Sequence, residues 1–204
     1  MARDTILEEY SESDSNSGNS GLSLAVRLQQ EAPEAWGELV SLYGPLVDQW
    51  CRRGGVRQDS IADVGQDIFL TAFRSIHQFS PDPSSSFRAW LWTIARSRIV
   101  DHHRRQGQAM AMGGSTALGH LHAVADPIPN GDPTEPDHWA AVVRRALEQV
   151  RCHFEASTWQ LFWRATVLGH PTDLIAEENN ITTAAVRQAK SRVLRRLRKQ
   201  LGDT

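Results

Sequence analysis

Thr183, Arg187, Gln188, Ser191, Arg192 and Arg195 recur along the last 20-odd residues of the chain at spacings that gather them on one arc of a helix. Arg and Gln can each make paired hydrogen bonds to base edges in the major groove, and Ser and Thr can add single ones. From Thr183 to Leu201 there are seven Lys/Arg and no acid, whereas a merely solvated helix face mixes both signs. Val186, Ala189, Val193, Leu194, Leu197 and Leu201 take the opposite arc, with Lys190 inside it as a residue expected to snorkel. The segment PTDLIAEENNITTAAVRQAKSRVLRRL therefore predicts a helix-turn-helix, with Leu174, Ile175 and Ala176 buried and Ile181 filling the core at the turn. Thr183, Arg187, Gln188 and Ser191, in the first turns of the second helix, are the candidates for base reading. Arg192 and Arg195, with Arg196 and Arg198, suit phosphates or solvent.

A second chemistry would start from Asp101-His102-His103 and His120-x-His122. Adjacent histidines on a helix point about 100° apart, so His102 and His103 need a third partner to hold one ion from one face. His120 and His122 fall in a Gly- and Pro-rich stretch. The chain has no phosphate-binding glycine loop and no nucleophile constellation. It reads as a non-enzyme without cofactor or metal.

Those residues must be carried by helices. In 204 residues with 40% apolar content and seven Trp, there is enough material for real cores. The net charge of −2 is unevenly spread: residues 1–34 hold two basic and seven acidic side chains, 106–138 none and four, and 139–204 eleven and six. A positive field is thus local, which limits non-specific affinity for phosphate. No apolar run approaches a membrane span and no signal peptide is visible, so a soluble cytoplasmic protein is expected. Cys51 and Cys152, without CxxC spacing, are expected to be buried free thiols.

Residues 1–21 are a polar tail expected to be disordered, with plain disorder favoured over a phosphorylation or partner-binding role. Helical periodicity runs from Leu22 to Gly54-Gly55. It resumes after Asp59 or Ser60, either of which can cap, with Ile61, Val64, Ile68, Phe69, Ala72, Phe73 and Ile76 as a buried stripe. The segment 79–86 is a loop, and Ser86 can cap a third helix reaching about Arg105. Residues 106–138 lack periodicity and predict a flexible linker; 139–204 return to helix, with Thr182 or Thr183 capping the last one. No segment alternates with period two long enough for a strand. The expectation is an all-α chain of two small helical domains.

The stretches DVGQDIFLTAFRSIHQF (63–79) and SFRAWLWTIARSRIVDHHRR (86–105) resemble region 2 of bacterial RNA polymerase sigma factors of the extracytoplasmic-function class, within the sigma-70 family. The half from 139 to 204 resembles region 4 of the same class. The resemblance implies an alternative sigma factor that directs promoter-specific transcription initiation, with 22–105 as region 2 and 139–204 as the helix-turn-helix region 4. It implies that Asp63, Gln66, Asp67 and Phe69 dock on the clamp coiled coil of the polymerase β′ subunit. It also implies that Arg88, Arg96, Ser97, Arg98, Arg104 and Arg105 face the minus-ten element, and that the 77–86 loop holds a flipped base. The last helix would read the minus-thirty-five element, with the β flap as a second polymerase contact.

Two departures from the class pattern stand out: Ser97 where Asn is usual, and Thr93-Ile94 where housekeeping factors carry a paired Trp wedge. The 33-residue linker, extending to about 110 Å, could bridge promoter elements about 50 Å apart; by resemblance it threads the polymerase channels. No zinc-type anti-sigma motif is fused here, which leaves a separate anti-sigma factor or a kinase open as further partners. The competing reading is an autonomous helix-turn-helix repressor. It would bind DNA tightly without polymerase, which so small a basic area does not favour.

Overall fold

The computed structural model describes residues 22–80, 86–111 and 131–203, and for 109–111 the backbone only. Among the described residues all regular structure is helical. Helix α1, Leu24–Gln29, starts at Ser23, whose side chain accepts from the Val26 N–H. Helix α2, Pro33–Arg53, opens on a proline at its first turn, where the missing N–H costs nothing. It ends at Gly54, and Gly55 follows at φ 78°, a left-handed conformation suited to glycine.

A 3-10 turn, Gln58–Ser60, leads into α3, Ile61–Ser75. Neither expected residue caps α3. Ser60 already has near-helical backbone angles (φ −104°, ψ −7°) rather than the extended ones a cap needs, and its hydroxyl donates to Asp59 instead. Helix α4, Phe87–Ala111, does begin at a Ser86 cap, whose Oγ accepts from the Ala89 N–H at 3.2 Å. It continues beyond Arg105, so the first six residues of the expected linker are helical. Helix α5, Pro136–Arg151, likewise starts three residues before the expected boundary. Then come α6, Ala156–Thr166, α7, Thr172–Glu178, and α8, Thr183–Gln200. Thr182 caps α8 by accepting from the Ala185 N–H at 3.2 Å. The expected tail, residues 1–21, most of the 79–86 loop, and His120 and His122 lie outside the described residues.

One buried cluster joins the two halves. Leu39, Tyr43, Val47 and Trp50 of α2 pack with Ile61, Val64 and Ile68 of α3 and with Phe87, Leu91, Trp92 and Ile99 of α4. Val142 and Ala146 of α5, and Leu197 and Leu201 at the end of α8, belong to the same cluster. At roughly 1.5–3 kcal/mol per buried large apolar side chain, such a shared core is a substantial tie between the units. The two helical units expected from sequence thus share a core.

Two expected stripe residues are less buried than predicted. Phe69 is half-buried, and Phe73 is 48% exposed with its ring edge-on to Trp36 at 4.9 Å. A smaller cluster, Ile175, Ala176 and Val186 with Leu161 and Ala165 at its margin, holds the helix-turn-helix.

Candidate nucleic-acid interface

Helix α8 presents the arc predicted for it. Val186, Ala189, Val193 and Leu197 are buried, and Arg187, Gln188, Ser191, Arg192 and Arg195 are exposed; Thr183 is half-buried at the helix start. The turn before it places Asn180 at φ 50°, a left-handed conformation that Asn tolerates better than most residues. The Ile181 N–H closes the turn onto the Ala176 carbonyl at 3.0 Å. The side chain of Ile181 lies at the rim, 36% exposed, rather than plugging the core, and Leu174 is 46% exposed. Leu174 precedes Ile175 and Ala176 on a seven-residue helix, and one step turns a side chain about 100° away from their buried face. Arg196 also departs from its expected place: burial, and then the charge of Arg27, lower its pKa, and its Nη2 is 3.1 Å from His153 Nε2.

The α4 cations are arranged differently from a row facing solvent. Arg88 pairs with Asp132 at 2.5 Å, and its guanidinium lies 4.3 Å over the Trp139 ring. Arg98 and Arg104 both pair with Asp101 at 3.0 Å, and exposed Arg105 stands 3.7 Å from Asp67 on α3. Arg96 is half-buried, and Ser97 is exposed with its Oγ 3.4 Å from Arg98 Nη2. Trp90, between Phe79 and Phe87 with ring centroids 5.2 Å from each, is a packing residue. Phe79 and Phe87 also meet each other, with ring centroids 5.4 Å apart.

On α3, Asp63, Gln66 and Asp67 are exposed on successive turns, with half-buried Phe69 beside them. The structure therefore brings these four onto one helix and links them to the α4 cations through Asp67 and Arg105.

The residues of the metal reading are otherwise engaged. His103 Nε2 lies 2.7 Å from the Gly54 carbonyl oxygen, joining α4 to the end of α2. His102 pairs with Gln106 at 3.0 Å, and burial, then the charges of His103 and Arg105, lower its pKa. Among the described residues no group of three or more His, Cys, Asp or Glu is placed to hold a metal ion, and no helix is long and apolar enough to cross a membrane.

Several positions that matter were not anticipated. Trp92 is buried edge-on to Trp50 at 5.3 Å. Asp132 accepts from the Thr134 N–H at 2.9 Å, and Thr134 Oγ1 accepts from Trp50 Nε1 at 3.0 Å, so this part of the expected linker is pinned to the first unit. Asp203 accepts from the Phe87 N–H at 3.0 Å. An Asp just past a helix-ending glycine was the available signal for that last contact, but its partner lies 116 residues away.

A family model described as Sigma-70 region 2 matches residues 39–109. RNA polymerase sigma factor CnrH of Cupriavidus metallidurans is 30% identical over 118 residues, 58% of this chain and 60% of that protein. ECF RNA polymerase sigma factor RpoE of Cereibacter sphaeroides is 30% identical over 74 residues, 36% of this chain and 40% of that protein. ECF RNA polymerase sigma factor SigD of Mycobacterium tuberculosis is 27% identical over 168 residues, 80% of this chain and 76% of that protein. The chain thus spans less than two thirds of the length of CnrH and of RpoE. The solved structure of CnrH in complex with the cytosolic domain of CnrY covers 85% of this chain and 92% of that one at 22% identity, with a TM-score of 0.36.

Proposed function

This chain belongs to the extracytoplasmic-function class of the sigma-70 family, and we propose on that premise that it binds core RNA polymerase and directs it to specific promoters. In this reading α8 enters the major groove at the minus-thirty-five element. Arg187, Gln188 and Ser191 contact base edges, with Thr183 at the groove entrance and Arg192 and Arg195 on phosphates. Helix α4 and the loop before it take the minus-ten element, through Arg88, Arg96, Ser97, Arg98, Arg104 and Arg105. Asp63, Gln66, Asp67 and Phe69 form the patch that meets the β′ clamp coiled coil, and the second unit also meets the β flap. Residues 22–105 act as region 2, 106–138 as the connector and 139–204 as region 4.

The observation that carries this reading is the exposed arc Arg187, Gln188, Ser191, Arg192, Arg195, which lies across α8 from a continuous buried arc. It is one aimed basic surface on a chain of net charge −2. Such a surface neutralises few phosphates by itself, so most of the affinity for promoter DNA must come from the polymerase. The protein has no chemical step of its own here and acts by binding.

Pull-down with purified core polymerase tests the reading. The wild-type chain is retained, and Asp63→Lys/Asp67→Lys loses most of that retention while staying folded. A chain that ignores core polymerase yet binds duplex DNA tightly would instead be an autonomous helix-turn-helix repressor.

A further inference from the structure

We propose that Gln29 is a positioning residue for minus-ten recognition: its side-chain amide fixes the direction in which the chain leaves Phe79 on its way to α4. The proposal deepens the sigma-factor reading and rests on it.

Helix α3 runs into a 3-10 turn, Ile76–Gln78, and the chain then becomes extended at Phe79 (φ −72°, ψ 118°). A helical segment that ends this way leaves main-chain carbonyls without partners inside the helix. The Phe79 N–H donates to the Ile76 carbonyl at 3.0 Å and closes the turn. Gln29, the last residue of α1, donates from Nε2 to the same Ile76 carbonyl at 3.1 Å and to the Phe79 carbonyl at 2.7 Å. One planar amide thus clasps both ends of the turn. Both partners are carbonyl oxygens, so the amide must present its NH2, and a carboxylate in its place would be repelled.

Packing alone does not do this work. Ile76 and Phe79 are 1% and 4% exposed, and the Phe79 ring meets Phe87 and Trp90. Burial of the ring holds the Phe79 Cα but leaves the next peptide plane free to turn about ψ, one of the two soft dihedrals of the residue. The bond from Gln29 to the Phe79 carbonyl removes that freedom and sets the heading of Ser80, which is exposed. Helix α1 is a firm base for the clasp, because Leu24 and Leu28 are fully buried and Ser23 caps it. Just beyond its end the Glu31 carboxylate stands 3.8 Å from His77 Nε2, a second reach from α1 to the same turn. A flipped base is read by hydrogen bonds in a close-fitting pocket. Such a contact tolerates little misplacement, so a turned peptide at its entrance costs discrimination before it costs folding.

The test uses holoenzyme reconstituted from core polymerase and the full chain, either wild type, Gln29→Glu or Gln29→Ala. Gln29→Glu keeps the shape and sets a carboxylate against two carbonyls, whereas Gln29→Ala only removes the donor. The templates are a promoter mapped from the protein's own transcription starts and the same promoter with each minus-ten and minus-thirty-five base pair substituted singly. Discrimination is the ratio of transcription from the parent promoter to that from each substituted one. Both variants are expected to be retained on core polymerase like the wild type. Both should lose discrimination at one minus-ten position by about fivefold, the worth of one net hydrogen bond, with discrimination across the minus-thirty-five element unchanged.

Wild-type discrimination at every minus-ten position in both variants would overturn the proposal. So would equal losses at the two elements, which would reduce Gln29 to a role in folding. A wild type that directs core polymerase to no promoter would overturn the sigma-factor reading itself, and this proposal with it. Should Gln29→Glu fail to fold, Gln29→Ala decides, because the side chain is only half-buried and its truncation buries no charge.

Discussion

The Tyr43 hydroxyl donates to the Leu201 carbonyl at 2.8 Å, joining the middle of α2 to the end of α8 across 158 positions of sequence. Burial drives the Tyr43 pKa far above the ordinary tyrosine value, so the group remains a neutral donor throughout the working pH range. Tyr43→Phe keeps the ring and removes only the donor. A buried carbonyl left without its partner costs about 1–3 kcal/mol, and urea denaturation should show a loss of that size. An unchanged midpoint would mean that the two units do not share this contact in solution.

The pair Arg27–Glu38 makes stability depend on pH. Burial opposes ionisation of Glu38, but the hydrogen bond and charge of Arg27, with help from Gln200 and Arg196, outweigh it and hold the carboxyl below its usual range. Because the folded value is the depressed one, the stabilisation is complete above the ordinary glutamate value, about 4.3, and fades as pH falls through the folded value. Glu38→Gln should cost about 2 kcal/mol at pH 7 and progressively less in acid. A gap between wild type and variant that stays constant from pH 7 down to acid would contradict this account of the pair.

Arg187 and Gln188 separate function from fold. Both are exposed and neither contributes to a core, so alanine at either should leave the melting temperature nearly unchanged. Each base-reading pair is worth about 1–3 kcal/mol, so transcription from a promoter that needs the minus-thirty-five element should fall by about fivefold or more. Equal losses at a promoter lacking that element would point to a general defect instead.

The two thiols should react at very different rates. Cys51 is buried, and burial with the nearby Asp48 charge pushes its pKa up to about 12, whereas Cys152 is exposed at the end of α5. The expectation that both were buried thus fails for Cys152, which follows the last turn of its helix rather than facing the core. A maleimide reagent should label Cys152 in the native protein and Cys51 only after denaturation, as mass spectrometry can follow. Equal rates for the two would show that the first unit opens readily.

What the chain reveals before folding depends on the range of the interaction. The α8 arc, the Ser86 and Thr182 caps and the exposed Asp63, Gln66 and Asp67 follow from side chains within a turn or two of one another, and period and cap chemistry suffice to find them. Leu174 and Ile181 were misplaced because the helix-turn-helix core is small and rim positions differ from core positions by one residue. The engagement of Arg88 by Asp132 and Trp139, and of Phe87 by Asp203, depends on how the two units dock. No local pattern encodes that docking. It was missed for the same reason that a polar, Pro-rich segment reads as a free linker even where Thr134 is held by Trp50.

The most direct test of the central claim is run-off transcription with purified core polymerase and fragmented genomic DNA, followed by mapping of the start sites. The account predicts new transcripts that depend on this protein, whose starts share one minus-ten and one minus-thirty-five sequence, and that Arg187→Ala/Gln188→Ala depletes them. Transcripts indistinguishable from those of core polymerase alone would contradict it.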